Sequence, residues 1–258
     1  MASVSDLRSF AVRLATWPMG RFGSQPQTKI VLVDVGASKG VQRKWLPYRR
    51  SITPVLFEPN PVEAEALRAT LKGFSTAYII DRGLSDETGP KTLHIAEYFG
   101  CTSMMDANMD FLDNYSIGSY YRPKREIEVE CVRYDELVSL GEAPQPDVVK
   151  IDIEGYESHA LAGFGNLLHN VLGIETEAWL YPAFREQALL HDIVRQLSEF
   201  GFRLRRLETV PGFNDDLVCV NAFFTQQQQR VHEGNADRWA KFQIMSKVWK
   251  LNTHVGTA

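Results

Sequence analysis

Acidic side chains stand at the ends of three short apolar segments: Asp34, Glu58 and Asp152. The segments read IVLVDVGASKG (residues 30–40), PVLFEPNP (54–61) and DVVKIDIEG (147–155). In α/β proteins, ligands bind in the crevice beyond the carboxyl ends of parallel strands. We therefore expect these ends to form one site for a charged, hydroxyl-rich cofactor, and we interpret that cofactor as S-adenosylmethionine.

The first segment predicts a strand followed by a glycine turn. Gly36 and Gly40 allow the backbone to approach a ligand closely, and the helix expected after them would offer its amides to a carboxylate. Asp34 could attract an ammonium group. Because Ser38 interrupts the pattern G-x-G-x-x-G, the turn disfavours a dinucleotide site. An ordinary strand-to-helix turn is the alternative.

The second segment offers a carboxylate about twenty residues later. An acidic residue at this place accepts hydrogen bonds from ribose hydroxyls, so Glu58 indicates a nucleoside. Pro59 and Pro61 end the strand and favour the start of a helix. NAD enzymes share this feature, and a surface glutamate in a turn is the alternative.

The third segment places charges within an apolar run. Lys150, Asp152 and Glu154 alternate with valines and isoleucines that are typical of a buried parallel strand. Charged residues are seldom buried unless they are paired or functional. A structural Lys150–Asp152 ion pair is the alternative to a functional site.

The same segments resemble the FkbM-type family of S-adenosylmethionine-dependent methyltransferases. The resemblance rests on VLVDVGASKG, LFEPNP, RGLSDETG, CTSMM, VECVRYDEL, VVKIDIEGYESHALAG and GIETE, from about Lys29 to Glu177 and more loosely to Phe224. Relatives commonly carry Asn where this chain has Ser38, a change that we expect cofactor binding to survive. The resemblance implies O-methylation of sugars, glycans or glycosylated metabolites.

The fold implied is α/β: the class I methyltransferase Rossmann-like three-layer sandwich, with a mainly parallel seven-stranded sheet and an antiparallel end strand. We expect one methyltransferase domain over 1–258, with an N-terminal helix (1–28), a catalytic core (29–225) and a C-terminal helix (226–258). The pattern predicts further strands at 77–80, 92–96, 127–132, 171–175, 202–207 and 216–224, and helices at 134–140, 155–168 and 186–200.

The residues expected around the cofactor lie in the glycine turn and at the ends of the strands. They are Asp34, Gly36, Ser38, Gly40, Glu58, Pro59, Asp81, Gly83, Leu84 and Asp152. Methyl transfer to an alcohol also requires a base within hydrogen-bond reach of the hydroxyl. Asp152 is the first candidate for this role, and Glu154 and Glu175 are the others. His159 would lie on a helix that carries it away from the crevice.

We expect no metal, because the methyl group of a sulfonium ion is already activated. A divalent cation held by Asp152, Glu175 and Glu177 is the alternative, since Mg²⁺ and Ca²⁺ prefer oxygen ligands.

Residues 98–126 form a long connection, and such segments are commonly functional. We expect them to bind the acceptor sugar through Tyr115, Tyr120, Tyr121 and Arg122, with Trp179 lining the same pocket. The alternative is a loop that packs on its own aromatic side chains.

Composition excludes several classes of protein. The 258 residues carry a net charge of −4, which disfavours nucleic-acid binding. The sequence shows no transmembrane segment and no signal peptide. Three scattered cysteines suit a reducing cytoplasm.

Three questions stay open from the sequence. Trp239, Phe242, Met245 and Trp249 share one face of the C-terminal helix, which would pack on the domain, form a homodimer or touch a membrane surface. The alternatives for function are an NAD-dependent Rossmann oxidoreductase and a non-catalytic sugar- or partner-binding module. The acceptor's identity is not encoded in any motif.

Overall fold

A computed structural model describes residues 28–253. The strands are β1 (Ile30–Val35), β2 (Ile52–Phe57), β3 (Tyr78–Ile80), β4 (Gly83–Leu84), β5 (Gly89–Ala96), β6 (Pro123–Val132), β7 (Val148–Ile151), β8 (Gly173–Trp179), β9 (Phe202–Thr209) and β10 (Cys219–Gln226). The helices are α1 (Pro61–Thr70), α2 (Met109–Leu112), α3 (Tyr134–Ser139), α4 (Glu157–Ala162), α5 (Leu190–Glu199), α6 (Gln228–Gly234) and α7 (Ala236–Val248).

Seven strands form the main sheet, in the order β3-β2-β1-β7-β8-β10-β9. All neighbours are parallel except β10, which is antiparallel to both β8 and β9. This arrangement confirms the predicted class I methyltransferase fold, and the antiparallel strand lies one position inside the β9 edge. A second sheet, in the order β4-β6-β5, contains the strands predicted at 92–96 and 127–132.

The central strands are buried because both faces of the sheet are covered. All four residues of β7 are buried, as expected for a strand in the middle of a parallel sheet. One core cluster contains Phe164, Leu168 and Leu197, and another joins Leu32 to the C-terminal segment. The sheet thus holds the carboxyl ends of β1, β2 and β7 side by side.

The C-terminal segment packs on the sheet as two helices, whereas the sequence predicted one. Asn235 separates them with an extended backbone, and its side chain accepts a hydrogen bond from the amide of Arg238 at 2.8 Å. Phe242, Met245 and Trp249 are buried in the same cluster as Leu32. Their apolar face is therefore used for packing within the chain.

Three other helices differ from the sequence predictions. The segment after the glycine turn is a 3₁₀ helix over Arg43–Ser51, because Pro47 lacks the amide that an α-helix would need there. The predicted helix over 155–168 is divided into α4 and a 3₁₀ helix over Gly165–His169, which begins at Gly165 with a positive φ of 51°. Glu186, at φ 58°, delays the start of α5.

The predicted N-terminal helix lies almost wholly outside the described residues. Over residues 28–253, no helix has the length and apolar character needed to cross a membrane.

Candidate active site

Backbone hydrogen bonds hold the three acidic strand ends together. The amides of Gly36 and Ala37 donate to the carbonyl of Phe57 at 3.2 and 3.1 Å. The amide of Asp152 donates to the carbonyl of Val35 at 3.2 Å, and that of Glu58 to the carbonyl of Ile80 at 3.1 Å. The residues following β1, β2 and β7 therefore form one wall, as the sequence predicted.

A cavity of about 250 Å³ opens against this wall. All the residues expected around the cofactor line it except Asp81, which is exposed beyond the end of β3. Its charged lining consists of four acids and two lysines: Asp34, Glu58, Asp152, Glu154, Lys39 and Lys150. The excess of acids suits a ligand with positive charge and opposes a pyrophosphate.

Lys150 joins two of the acids. Its ammonium lies 3.1 Å from Asp34 and 3.4 Å from Asp152. Burial raises the pKa of Asp34 to about 6, although Lys150 opposes this rise. Asp152 is the more accessible partner, with its side chain 42% exposed. Lys150 and Asp152 thus form the ion pair that a structural role requires, and the same two residues line the cavity, as a functional role requires.

Glu58 is held by its own turn. Its Oε1 accepts a hydrogen bond from the amide of Asn60 at 2.9 Å, and Asn60 in turn caps α1 by accepting from the amide of Val62. Burial raises the pKa of Glu58 to about 7, and the Asn60 amide lowers it only in part. This carboxylate lines the cavity, and the lone pairs that its own turn does not use can accept hydrogen bonds from a ligand.

Glu58→Gln should increase stability and weaken donor binding. The pKa of Glu58 in the folded protein is about 7, above its ordinary value of 4.5. Ionising this buried carboxyl group therefore lowers the stability of the fold as the pH rises between these two values. At pH 8 the substitution should stabilise the fold by up to about 3 kcal/mol, and it should weaken S-adenosylmethionine binding about tenfold. Denaturation and calorimetry check both effects, with exposed Glu65→Gln as control. A variant that is less stable and binds the donor unchanged contradicts the assignment.

Glu154 and Glu177 bring two further carboxylates beside Asp152. One oxygen from each of these three residues lies within 4.8 Å of the others. Burial raises the pKa of Glu154 well above its usual range, and the charges of Glu177 and Asp152 raise it further. Glu154 is fixed by a positive φ of 57° and by Ser103, whose hydroxyl donates to the Glu154 carbonyl at 2.6 Å.

Glu175 and His159 lie elsewhere. Both oxygens of buried Glu175 lie 2.6 Å from the Lys44 ammonium, because Glu175 points to the side of the sheet where the 3₁₀ helix lies. His159 stacks on Tyr156 and lies 3.0 Å from Asp86. Neither residue lines the cavity.

The side chains expected to bind the acceptor also lie outside the cavity wall. Trp179 is the last residue of β8 and is buried with Tyr121 and Phe184 in an aromatic cluster. Tyr115 donates a hydrogen bond to Asp216 at 3.0 Å, and Tyr120 packs on Tyr98. Arg122 pairs with Asp113 at 2.6 Å. The geometry favours the packing alternative for these side chains.

Tyr121→Ala should destabilise the protein without changing donor affinity. Tyr121 is 7% exposed, and removing a buried aromatic ring costs about 3–5 kcal/mol. Tyr98→Ala, at a position that is 46% exposed, should cost much less. Chemical denaturation measures both losses. A stable Tyr121→Ala variant with a raised acceptor KM would show that Tyr121 binds the acceptor.

Sequence reasoning missed the part of residues 98–126 that does reach the cavity. Phe99, Gly100, Thr102, Ser103 and Met104 line it. The motif CTSMM contains three of these residues and was the available signal. Its position follows from the pairing of Ser103 with His94 on β5, which a local pattern does not reveal.

Comparisons with known proteins identify the family. The model of the Methyltransferase FkbM domain matches residues 34–204. Hexuronic acid methyltransferase AglP of Haloferax volcanii is 46% identical over 172 residues, 66% of this chain and 62% of the relative. The 2-O-methyltransferase NoeI of Sinorhizobium fredii is 25% identical over 174 residues, 66% of this chain and 72% of the relative.

A solved structure is similar at a greater distance. Magnesium protoporphyrin IX methyltransferase of Synechocystis PCC 6803 aligns with a TM-score of 0.43 and 10% identity, over 77% of this chain and 71% of that chain. The family match covers most of the chain and includes every acidic residue of the cavity wall. This chain belongs to the FkbM methyltransferase family.

Proposed function

We propose that this protein transfers a methyl group from S-adenosylmethionine to a hydroxyl of a sugar, a glycan or a glycosylated metabolite. The observation that carries the proposal is the cavity at three adjacent strand ends, whose lining has more acids than bases. A sulfonium donor brings positive charge to such a site. The NAD-dependent alternative would instead place a doubly negative pyrophosphate beside Asp34, Asp152 and Glu154.

The residues that line the cavity wall indicate where each part of the donor binds. Glu58 supplies an acceptor for ribose hydroxyls, and Gly36, Ser38 and Gly40 let the backbone approach the methionine portion. Asp152 offers negative charge to the ammonium or sulfonium group. Pro59, Gly83 and Leu84 form the less polar part of the lining, which suits the adenine ring.

Glu154 is the proton acceptor in this proposal. A base works best when its pKa lies near the working pH, and burial moves Glu154 in that direction. Asp152 is the first candidate from the sequence, but its carboxylate is paired with the Lys150 ammonium at 3.4 Å. Glu154 has a buried oxygen with no hydrogen-bond partner among the described residues, so it can receive a proton.

The sugar acceptor is supported by the relatives. One is called a hexuronic acid methyltransferase and the other a 2-O-methyltransferase. The match spans 62% of the first relative's length, so the acceptor of this chain is a proposal in its own right. We further propose that the protein works in the cytoplasm, in keeping with three buried cysteines that form no disulfide.

Transfer of a labelled methyl group to a panel of neutral and uronic acid glycosides tests the function. The expected product is a methyl ether, which survives mild alkali, and its formation should require the donor. Hydride transfer with NAD, or donor binding without transfer to any acceptor, would favour the two alternatives. An alkali-labile ester would show that a carboxylate rather than a hydroxyl is methylated.

A further inference from the structure

A cluster of three carboxylates lies beside the cavity: Asp152, Glu154 and Glu177. Asp152 and Glu154 follow β7 and line the cavity, while Glu177 belongs to the neighbouring β8. One oxygen from each residue lies within 4.8 Å of the other two. The geometry therefore points three hard oxygen atoms at one small volume.

One carboxylate of the cluster, that of Glu177, has a buried oxygen without a hydrogen-bond partner in the described part of the chain, although the Cys219 thiol, a weak donor, also bonds to this side chain. Glu177 is 8% exposed, and its Oε2 is buried with no hydrogen bond to any described residue. Burying a carboxylate without a compensating partner is costly. Glu177 is more than nine-tenths buried, and its oxygen without a partner lies in a cluster with two other carboxylates, which indicates a missing positive ligand.

The neighbouring lysines do not supply that charge. Lys150 lies 3.1 Å from Asp34 and reaches only Asp152 among the three cluster residues, at 3.4 Å. Lys44 lies 2.6 Å from Glu175. Both ammonium groups are thus committed to other acids, and Glu154 and Glu177 form no salt bridge among residues 28–253.

The spacing suits a divalent cation. Two oxygens bound to one ion are separated by at most twice the ion–oxygen distance, roughly 4.2 Å for Mg²⁺ and about 4.6–5.2 Å for Ca²⁺. The limit of 4.8 Å between these oxygens lies within the Ca²⁺ range and above the Mg²⁺ limit, so the three oxygens would have to move closer together to bind Mg²⁺. Because Asp152 and Glu154 line the cavity while Glu177 is buried, an ion here would keep positions open toward the acceptor.

We propose that Asp152, Glu154 and Glu177 bind a divalent cation that holds the acceptor hydroxyl beside the donor's methyl group. The proposal rests on the proposed function and deepens it. These ligands differ from the set that the sequence offered, Asp152, Glu175 and Glu177. Glu175 is replaced by Glu154 because Glu175 is paired with Lys44. Each carboxylate supplies one oxygen to the ion, so the second oxygen of Glu154 stays available for a proton.

The reaction step balances without a further reactant. A cation bound here would lower the pKa of the acceptor hydroxyl, and the hydroxyl proton would pass to the oxygen of Glu154 that is not bound to the ion. The hydroxyl oxygen forms a bond to the methyl carbon as the carbon–sulfur bond breaks, and its electron pair stays on sulfur. The products are the methyl ether and S-adenosylhomocysteine, and the proton leaves from Glu154.

Binding of Mn²⁺ to the full chain, after treatment with EDTA, tests the site directly by electron paramagnetic resonance. We expect one Mn²⁺ per chain with a Kd at or below about 10⁻³ M, and competition by Mg²⁺ or Ca²⁺. Glu177→Gln should weaken this binding at least about tenfold. Glu199→Gln, an exposed carboxylate on α5, is the matched control and should bind normally.

Further measurements separate a lost site from a misfolded variant or a wrong function. Glu177→Gln should keep its S-adenosylmethionine affinity and melt no lower than wild type without metal, because it removes an unpartnered buried charge. If it unfolds, Glu154→Gln provides the second test of Mn²⁺ binding. Folded wild type that binds no divalent cation, or that transfers methyl groups equally fast in EDTA, overturns the proposal. Mn²⁺ binding without transfer to any acceptor would instead overturn the proposed function and leave the site standing.

Discussion

Glu154→Gln is expected to lower methyl-transfer turnover by roughly 10²–10⁴ while the affinity for S-adenosylmethionine changes little. The amide keeps the shape of the side chain but cannot accept the hydroxyl proton. Burial and the charges of Glu177, Asp152 and Glu157 raise the pKa of Glu154, which makes it a stronger base than an exposed glutamate. Single-turnover kinetics at saturating donor measure the loss without a contribution from product release.

Asp152→Asn is the comparison that separates the two acids. Lys150 neutralises Asp152 in part, so we expect its replacement to affect donor binding more than proton transfer. A folded Glu154→Gln variant with near-normal turnover, together with a large loss in Asp152→Asn, would assign the base to Asp152. Loss of donor affinity in Glu154→Gln would make Glu154 a donor ligand.

Gly36→Ala should destabilise the protein by about 3 kcal/mol or more and abolish donor binding. Gly36 has a φ of 81°, and a Cβ there would lie 2.1 Å from the backbone oxygen of Asp152. Since Gly36 and Asp152 directly follow the paired strands β1 and β7, relieving the overlap requires the two strand ends to separate. Gly36 and Asp152 both line the cavity, so separating these strand ends would disrupt the donor site.

Gly141→Ala is a matched control for the backbone strain alone. Gly141 has a φ of 74°, close to that of Gly36, but a Cβ there would meet no atom within 4 Å. It should cost only about 1–2 kcal/mol, the penalty of the left-handed conformation. Thermal melting and donor titration of both variants measure the difference. Equal losses in the two variants would show that the close contact with Asp152 does not hold the site.

The sequence predicted the positions of three of the cavity's acidic residues because each of them directly ends an apolar strand pattern. Asp34, Glu58 and Asp152 each end an apolar strand, and parallel topology alone brings such ends together. The seven-stranded sheet followed from the same alternation of strands and helices. These predictions needed no knowledge of side-chain direction.

The remaining features depend on contacts between distant parts of the chain. Glu175 and Glu177 both point to the same face of β8, yet only Glu177 joins Asp152 and Glu154. Glu175 lies opposite Lys150 inside the sheet and binds Lys44, whereas Glu177 lies two residues further along β8, level with Asp152. Tyr121 and Trp179 were assigned to sugar binding by residue type, but they share a buried aromatic cluster. Spacing along the chain does not distinguish a buried aromatic contact from an exposed one.

Calorimetric titration of the full chain with S-adenosylmethionine, S-adenosylhomocysteine and NAD tests the central claim most directly, since all three ligands compete for one cavity. We expect one site for S-adenosylmethionine and one for S-adenosylhomocysteine, no measurable NAD binding, and about tenfold weaker donor binding in Glu58→Gln. Tight NAD binding with no response to S-adenosylmethionine would contradict the assignment of this cavity to a methyl donor.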